Sequence, residues 1–159
     1  FEDTNIRIYY SKNIKTLEIL GVVKNIYAIG AGILDAMELG ENARASFITR
    51  CASEMQFMLK QSNLHDKKIL SLAGIGDLVL TCSSSKSRNF SFGRKFIFGK
   101  PIKNTSLNKV TVEGLNSVMT IKKVLNLKNG YVNVGMNISI IVVYIVIKKT
   151  VHIIHKKIW

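Results

Sequence analysis

Residues 14–37 form a mainly apolar run broken near its middle by a lysine, Lys24, and this run limits the possible folds more than any other stretch. Its length suits a helix, and a helix apolar over most of its surface has to be buried. Other elements must therefore wrap around it. Gly30 and Gly32 each weaken such a helix by about 1 kcal/mol relative to alanine. They read as places where another helix or a ligand comes close. Lys24 has Leu20 and Ala28 one turn to either side. A lysine in those surroundings must snorkel to the surface, pair with a carboxylate or sit at a cavity.

The chain of 159 residues suits one domain with a real core, and 47% hydrophobic residues with a single proline argue against disorder. The net charge of +13 is unevenly spread: residues 1–50 carry six basic and six acidic side chains, the remainder seventeen and four. The basic residues are mostly isolated lysines, not an arginine-rich stripe interleaved with aromatics, so no specific nucleic-acid partner is expected. A basic surface does favour anionic substrates and cofactors. Abundant Lys, Asn and Ile also fit general compositional drift. Cys51 and Cys82 lack metal-ligand spacing and sit in apolar patterns, as reduced, cytoplasmic cysteines do. No secretory signal opens the chain, and the first residue is Phe1. A fragment or an isolated domain is the expectation.

In chain order, residues 5–10 alternate polar and apolar and read as a short strand, unpaired within this chain. A turn at Gly40 starts a second helix, whose Ala43, Phe47, Ile48, Cys51, Met55 and Met58 build one apolar face. Arg44, Arg50, Glu54 and Lys60 are expected largely off that face. Residues 63–68 read as a polar connection containing His65. Phe90, Phe92, Phe96 and Phe98 read as core, with base stacking as the alternative, and Gly93 as a close helix contact. Gly99 and Pro101 punctuate the chain. Residues 115–127 read as an amphipathic helix, with Glu113 a favourable acid near its start. Residues 138–147 are apolar at nine of ten positions, half of a membrane span. They read as a buried helix, with an interfacial anchor backed by the basic tail as the alternative. His152 and His155 have no companion ligand, so no metal site is expected.

Chemistry concentrates in residues 72–93: Leu72-Ala-Gly-Ile-Gly-Asp77-Leu-Val-Leu-Thr81-Cys82, a polar linker, then Ser87-Arg88-Asn89-Phe-Ser-Phe-Gly93. Asp77 and Thr81, four apart, share a helix face. Ser87 reads as the cap of a new helix, where unpaired N–H groups and the Arg88 guanidinium could hold a phosphate. From spacing alone, an ordinary capped helix with a solvated arginine is the better reading.

Together with Gly21-Val-Val-Lys24-Asn25-Ile-Tyr-Ala-Ile-Gly-Ala-Gly32 and Leu39-Gly-Glu-Asn-Ala-Arg-Ala-Ser-Phe-Ile-Thr-Arg50, this stretch resembles the C-terminal domain of the bacterial-type NAD(P)-dependent glycerol-3-phosphate dehydrogenases. The likeness covers residues 1–127. It implies a helical substrate domain of a two-domain dehydrogenase, with residues 1–10 the closing strand of a missing dinucleotide-binding domain, 11–130 the substrate domain and 131–159 a divergent tail. It also implies reversible reduction of dihydroxyacetone phosphate to sn-glycerol 3-phosphate, with NAD or NADP held mainly by the missing domain.

By this resemblance Lys24 donates and accepts the proton, and Asp77 is its carboxylate partner. Desolvation makes an ammonium a readier proton donor, and a nearby carboxylate tempers that. Substrate contacts would come from Lys24, Asn25, Asp77, Thr81, Ser87, Arg88 and Asn89, cofactor contacts from Arg88, Thr111 and Glu113. No Gly-x-Gly-x-x-Gly turn follows a strand, so half an active site, inactive alone, is expected. A homodimer is possible and a membrane partner is not expected. The alternative is a non-enzymatic, truncated remnant of the same enzyme, to which the divergent tail would belong.

Overall fold

The computed structural model describes residues 4–64, 66–97 and 117. Four α-helices carry the architecture: α1 (Ile14–Ala36), α2 (Gly40–Gln61), α3 (Asp77–Ser83) and α4 (Arg88–Ile97). A 3-10 turn (Asp66–Leu70) and a π-helical turn (Leu72–Gly76) link α2 to α3. The other three helices all pack on α1, which is the axis of the domain. It is long and apolar enough to cross a bilayer. Here, though, thirteen of its residues are buried by the surrounding helices, as its apolar pattern requires.

Leu20, Val23, Tyr27, Ala28 and Ala31 of α1 meet Cys51, Met55, Met58 and Leu59 of α2 in one core, with Leu78, Cys82 and Phe90 closing it from α3 and α4. Phe47 and Ile48 pack against its edge. Phe92 and Phe96 lie with ring centroids 5.7 Å apart, and Phe96 is buried, so these aromatics serve packing. Asn63 ends α2 in the left-handed region (φ 53°). The Leu64 N–H then donates to the Leu59 carbonyl at 2.9 Å, satisfying an otherwise orphaned acceptor.

The α1–α4 contact is made backbone to backbone. A Cβ on Gly32 would lie 2.0 Å from the Phe90 carbonyl oxygen, and one on Gly93 would lie 2.1 Å from that of Ile29. Two glycines, one on each helix, thus let the pair close further than side chains would permit. Asp35 fastens the same end, accepting from Arg44 at 3.0 Å and from Arg94 at 2.8 Å. The motifs did not single out this staple, which joins α1 to both α2 and α4.

One expectation is corrected. Glu54 lies in the core at 2% exposure, because positions 51, 54, 55 and 58 share the buried face of α2. Burial and the neighbouring Glu54 push the Tyr27 phenol well above its ordinary range. Residues 5–10 make no ladder among the described residues, since a strand needs a neighbouring strand to pair with. His65, residues 98–116 and residues 118–159 lie outside the described residues, as do residues 1–3; with them go Phe98, Gly99, Pro101, the 115–127 helix reading, the apolar 138–147 segment, His152 and His155.

Candidate active site

Lys24 and Asn25 are consecutive on α1, so their side chains leave the helix about 100° apart. Each reaches a different neighbour. The Lys24 ammonium pairs with Asp77 Oδ2 at the start of α3. The Asn25 Oδ1 accepts from Asn89 Nδ2 of α4 at 3.0 Å. One turn of α1 therefore gathers the elements that carry the candidate chemistry.

Local structure explains how Asp77 comes to face Lys24. The π turn before it is wider than an α-helical turn and resets the register of α3. Gly74 makes that turn possible: a Cβ there would lie 2.2 Å from the Ile69 carbonyl oxygen and 2.7 Å from that of Lys68. Asp77 then opens α3, where a carboxylate also suits the positive end of the helix dipole. Thr81 Oγ1 donates to the Asp77 carbonyl oxygen at 2.6 Å, with Asp77 Oδ1 at 3.2 Å. The four-residue spacing thus puts the hydroxyl beside the carboxylate.

At α4, Ser87 acts as the cap: its Oγ accepts from the Phe90 N–H at 3.3 Å and its carbonyl from the Ser91 N–H at 2.9 Å. Arg88 is the first helical residue and is exposed, whereas Asn89 is buried. Asn25 is also buried, and its Nδ2 donates back to the Gly21 carbonyl at 3.1 Å. The structure thus brings Lys24, Asp77 and Thr81 into one cluster, and Asn25 and Asn89 into a second that shares the same turn of α1. Thr111 and Glu113 lie outside the described residues.

The described residues contain no cradle for a dinucleotide. Gly30 and Gly32 lie inside α1, with Gly32 closed against α4, and Gly74 and Gly76 belong to the π turn. The two cysteines are not nucleophiles either. Burial pushes the Cys82 thiol up to about 12 and raises Cys51 further. Both stay protonated at neutral pH.

Residues 13–154 match the family model described as NAD-dependent glycerol-3-phosphate dehydrogenase C-terminus. That match continues past residue 127, where the recognisable motifs stop. The chain is 40% identical over 128 residues to a glycerol-3-phosphate dehydrogenase (NAD(P)+) of Vesicomyosocius okutanii, covering 80% of this chain and 39% of the relative. With the enzyme of the same name from Pseudomonas aeruginosa it shares 39% over 118 residues, covering 74% of this chain and 35% of the relative. The crystal structure of glycerol-3-phosphate dehydrogenase from Coxiella burnetii superposes with a TM-score of 0.75 at 32% identity, over 90% of this chain and 43% of that one. The chain therefore spans about two-fifths of the length of the proteins it matches, and it belongs to the family of NAD-dependent glycerol-3-phosphate dehydrogenase C-terminal domains.

Proposed function

We propose that this chain supplies the substrate-binding and proton-transfer half of an NAD(P)-dependent glycerol-3-phosphate dehydrogenase. The reaction is the reversible reduction of dihydroxyacetone phosphate to sn-glycerol 3-phosphate. The observation that carries this reading is the Lys24–Asp77 ion pair, set one residue along α1 from the Asn25–Asn89 bond that leads to Arg88. An ammonium and a phosphate-binding helix start, held by one turn of a rigid helix, suit a small ketone phosphate.

In this reading Lys24 Nζ gives its proton to the ketone oxygen as negative charge develops there, and takes it back in the reverse direction. Asp77 holds the ammonium in place, and Thr81 fixes Asp77. Arg88 and the α4 start, with Ser87 and Asn89, grip the phosphate. The hydride belongs to NAD or NADP on a dinucleotide-binding domain, which Arg88, Thr111 and Glu113 would border. Residues 11–130 are then the substrate domain, residues 1–10 its junction with the dinucleotide-binding domain, and 131–159 the tail. A cytoplasmic enzyme and a homodimer complete the proposal.

The test is turnover of NADH with dihydroxyacetone phosphate, using the purified chain alone and mixed with a separately expressed dinucleotide-binding domain of a relative. No turnover alone and turnover in the mixture, abolished by Lys24→Met, is the expected result. Turnover by the chain alone would overturn the half-site reading. No turnover in a mixture that forms a complex would favour a remnant without chemistry.

A further inference from the structure

Asn25 and Asn89 are 64 residues apart in sequence, and both side chains are buried, at 9% and 5% exposure. A buried amide needs partners for its carbonyl and its N–H groups. The Asn25 carbonyl oxygen receives the Asn89 N–H at 3.0 Å, and the Asn25 N–H₂ donates to the Gly21 carbonyl at 3.1 Å. Two faces of the Asn25 amide are thus committed within the protein, one to its own helix and one to α4. The Gly21 bond fixes the plane of the amide, and the amide then aims its oxygen at the second residue of α4.

Asn89 neighbours Arg88 and comes two residues after the capping Ser87. Whatever holds Asn89 therefore sets where the first turn of α4 sits relative to Lys24. Gly32 packs on the Phe90 carbonyl of that turn, Gly93 packs on the Ile29 carbonyl, and the Arg94–Asp35 pair fastens the helices beyond them. The Asn25–Asn89 bond adds a directional side-chain tie between α1 and the first turn of α4.

We propose that Asn25 is a positioning residue, whose amide locks the first turn of α4 to the Lys24 turn of α1 through Asn89. It acts on the phosphate grip through Asn89. This inference rests on the reading of α4 as the phosphate-binding element, but its structural half can be tested without any ligand.

The experiment uses the full 159-residue chain with Asn25→Ala, Asn25→Asp, Asn89→Ala and the double alanine variant. Two readouts are taken by NMR: amide hydrogen exchange of Phe90 and Ser91 against that of Ile29 and Ala31, and the dissociation constant for inorganic phosphate at low salt. Asn25→Ala should speed exchange at Phe90 and Ser91 by about tenfold while leaving the α1 amides unchanged, a local opening and not a global one. Asn25→Asp keeps an acceptor for Asn89 and should retain the protection. Asn25→Ala should weaken phosphate binding about fivefold in the wild-type background and not at all in the Asn89→Ala background.

Unchanged exchange at α4 in Asn25→Ala, or losses in phosphate affinity that multiply in the double variant, would overturn the inference. Should Asn25→Ala fail to fold, Asn89→Ala breaks the same bond from the α4 side and carries the exchange readout. Absence of phosphate binding by the wild-type chain would count against the functional reading instead, and the exchange data would still decide the coupling.

Discussion

Lys24 and Asp77 lie 53 residues apart in sequence and meet in an ion pair that joins α1 to α3. Their side chains are 22% and 32% exposed, so the pair is partly screened by water. A pair in that position contributes about 0.5–1 kcal/mol to folding, far less than it would give to catalysis as a proton donor held in register.

That difference yields the first prediction. Lys24→Met should shift the unfolding free energy by no more than about 1 kcal/mol, while turnover with a dinucleotide-binding domain supplied in trans falls about 10²–10⁴-fold. Urea unfolding and steady-state NADH oxidation on the same preparation check both. A stable variant with unchanged turnover would remove Lys24 from the proton role.

Gly93→Ala should destabilise the domain by about 3 kcal/mol, at the upper end of what overpacking costs. The added methyl would lie 2.1 Å from a backbone oxygen that cannot rotate away. Gly21→Ala is the control: no described residue lies within 4 Å of a Cβ there, and alanine favours the helix by about 1 kcal/mol. Urea midpoints of the two variants should move in opposite directions.

Much of this arrangement is legible in the sequence, because it depends on local period. The 14–37 run foretells the central helix, Met55 and Met58 their core positions, and Gly32 and Gly93 a close contact. Asp77 and Thr81 show their shared face through spacing alone. Glu54 was legible too, since it stands three residues from Cys51 and four from Met58, but its charge argued for solvent. Pairing at long range is hidden. Nothing near Asn25 indicates that its oxygen faces Asn89, and nothing near Asp35 indicates two arginines from different helices. The alternation at residues 5–10 describes a preference that only a neighbouring strand could realise.

The buried thiols give a pH prediction. Cys82 ionises at about 12 in the folded chain against an ordinary 9.0, and Cys51 and Tyr27 are raised as well. Above pH 9 the unfolded chain releases these protons while the folded chain keeps them, so the unfolded state binds fewer protons and stability falls as pH rises. The contribution is fully present below about pH 9 and is lost progressively toward pH 12. Cys82→Ala should shrink the loss of unfolding free energy between neutral and alkaline pH, measured by urea titration. An unchanged loss would mean that Cys82 is not shielded.

The most direct measurement is an NMR amide titration of the chain with dihydroxyacetone phosphate at low salt, repeated with inorganic phosphate and with Arg88→Ala. Saturable shifts at Lys24, Asp77 and the Ser87, Arg88 and Asn89 amides, lost in the variant, are the predicted result. A well-dispersed spectrum that shows no shifts at millimolar ligand would contradict a preformed half-site.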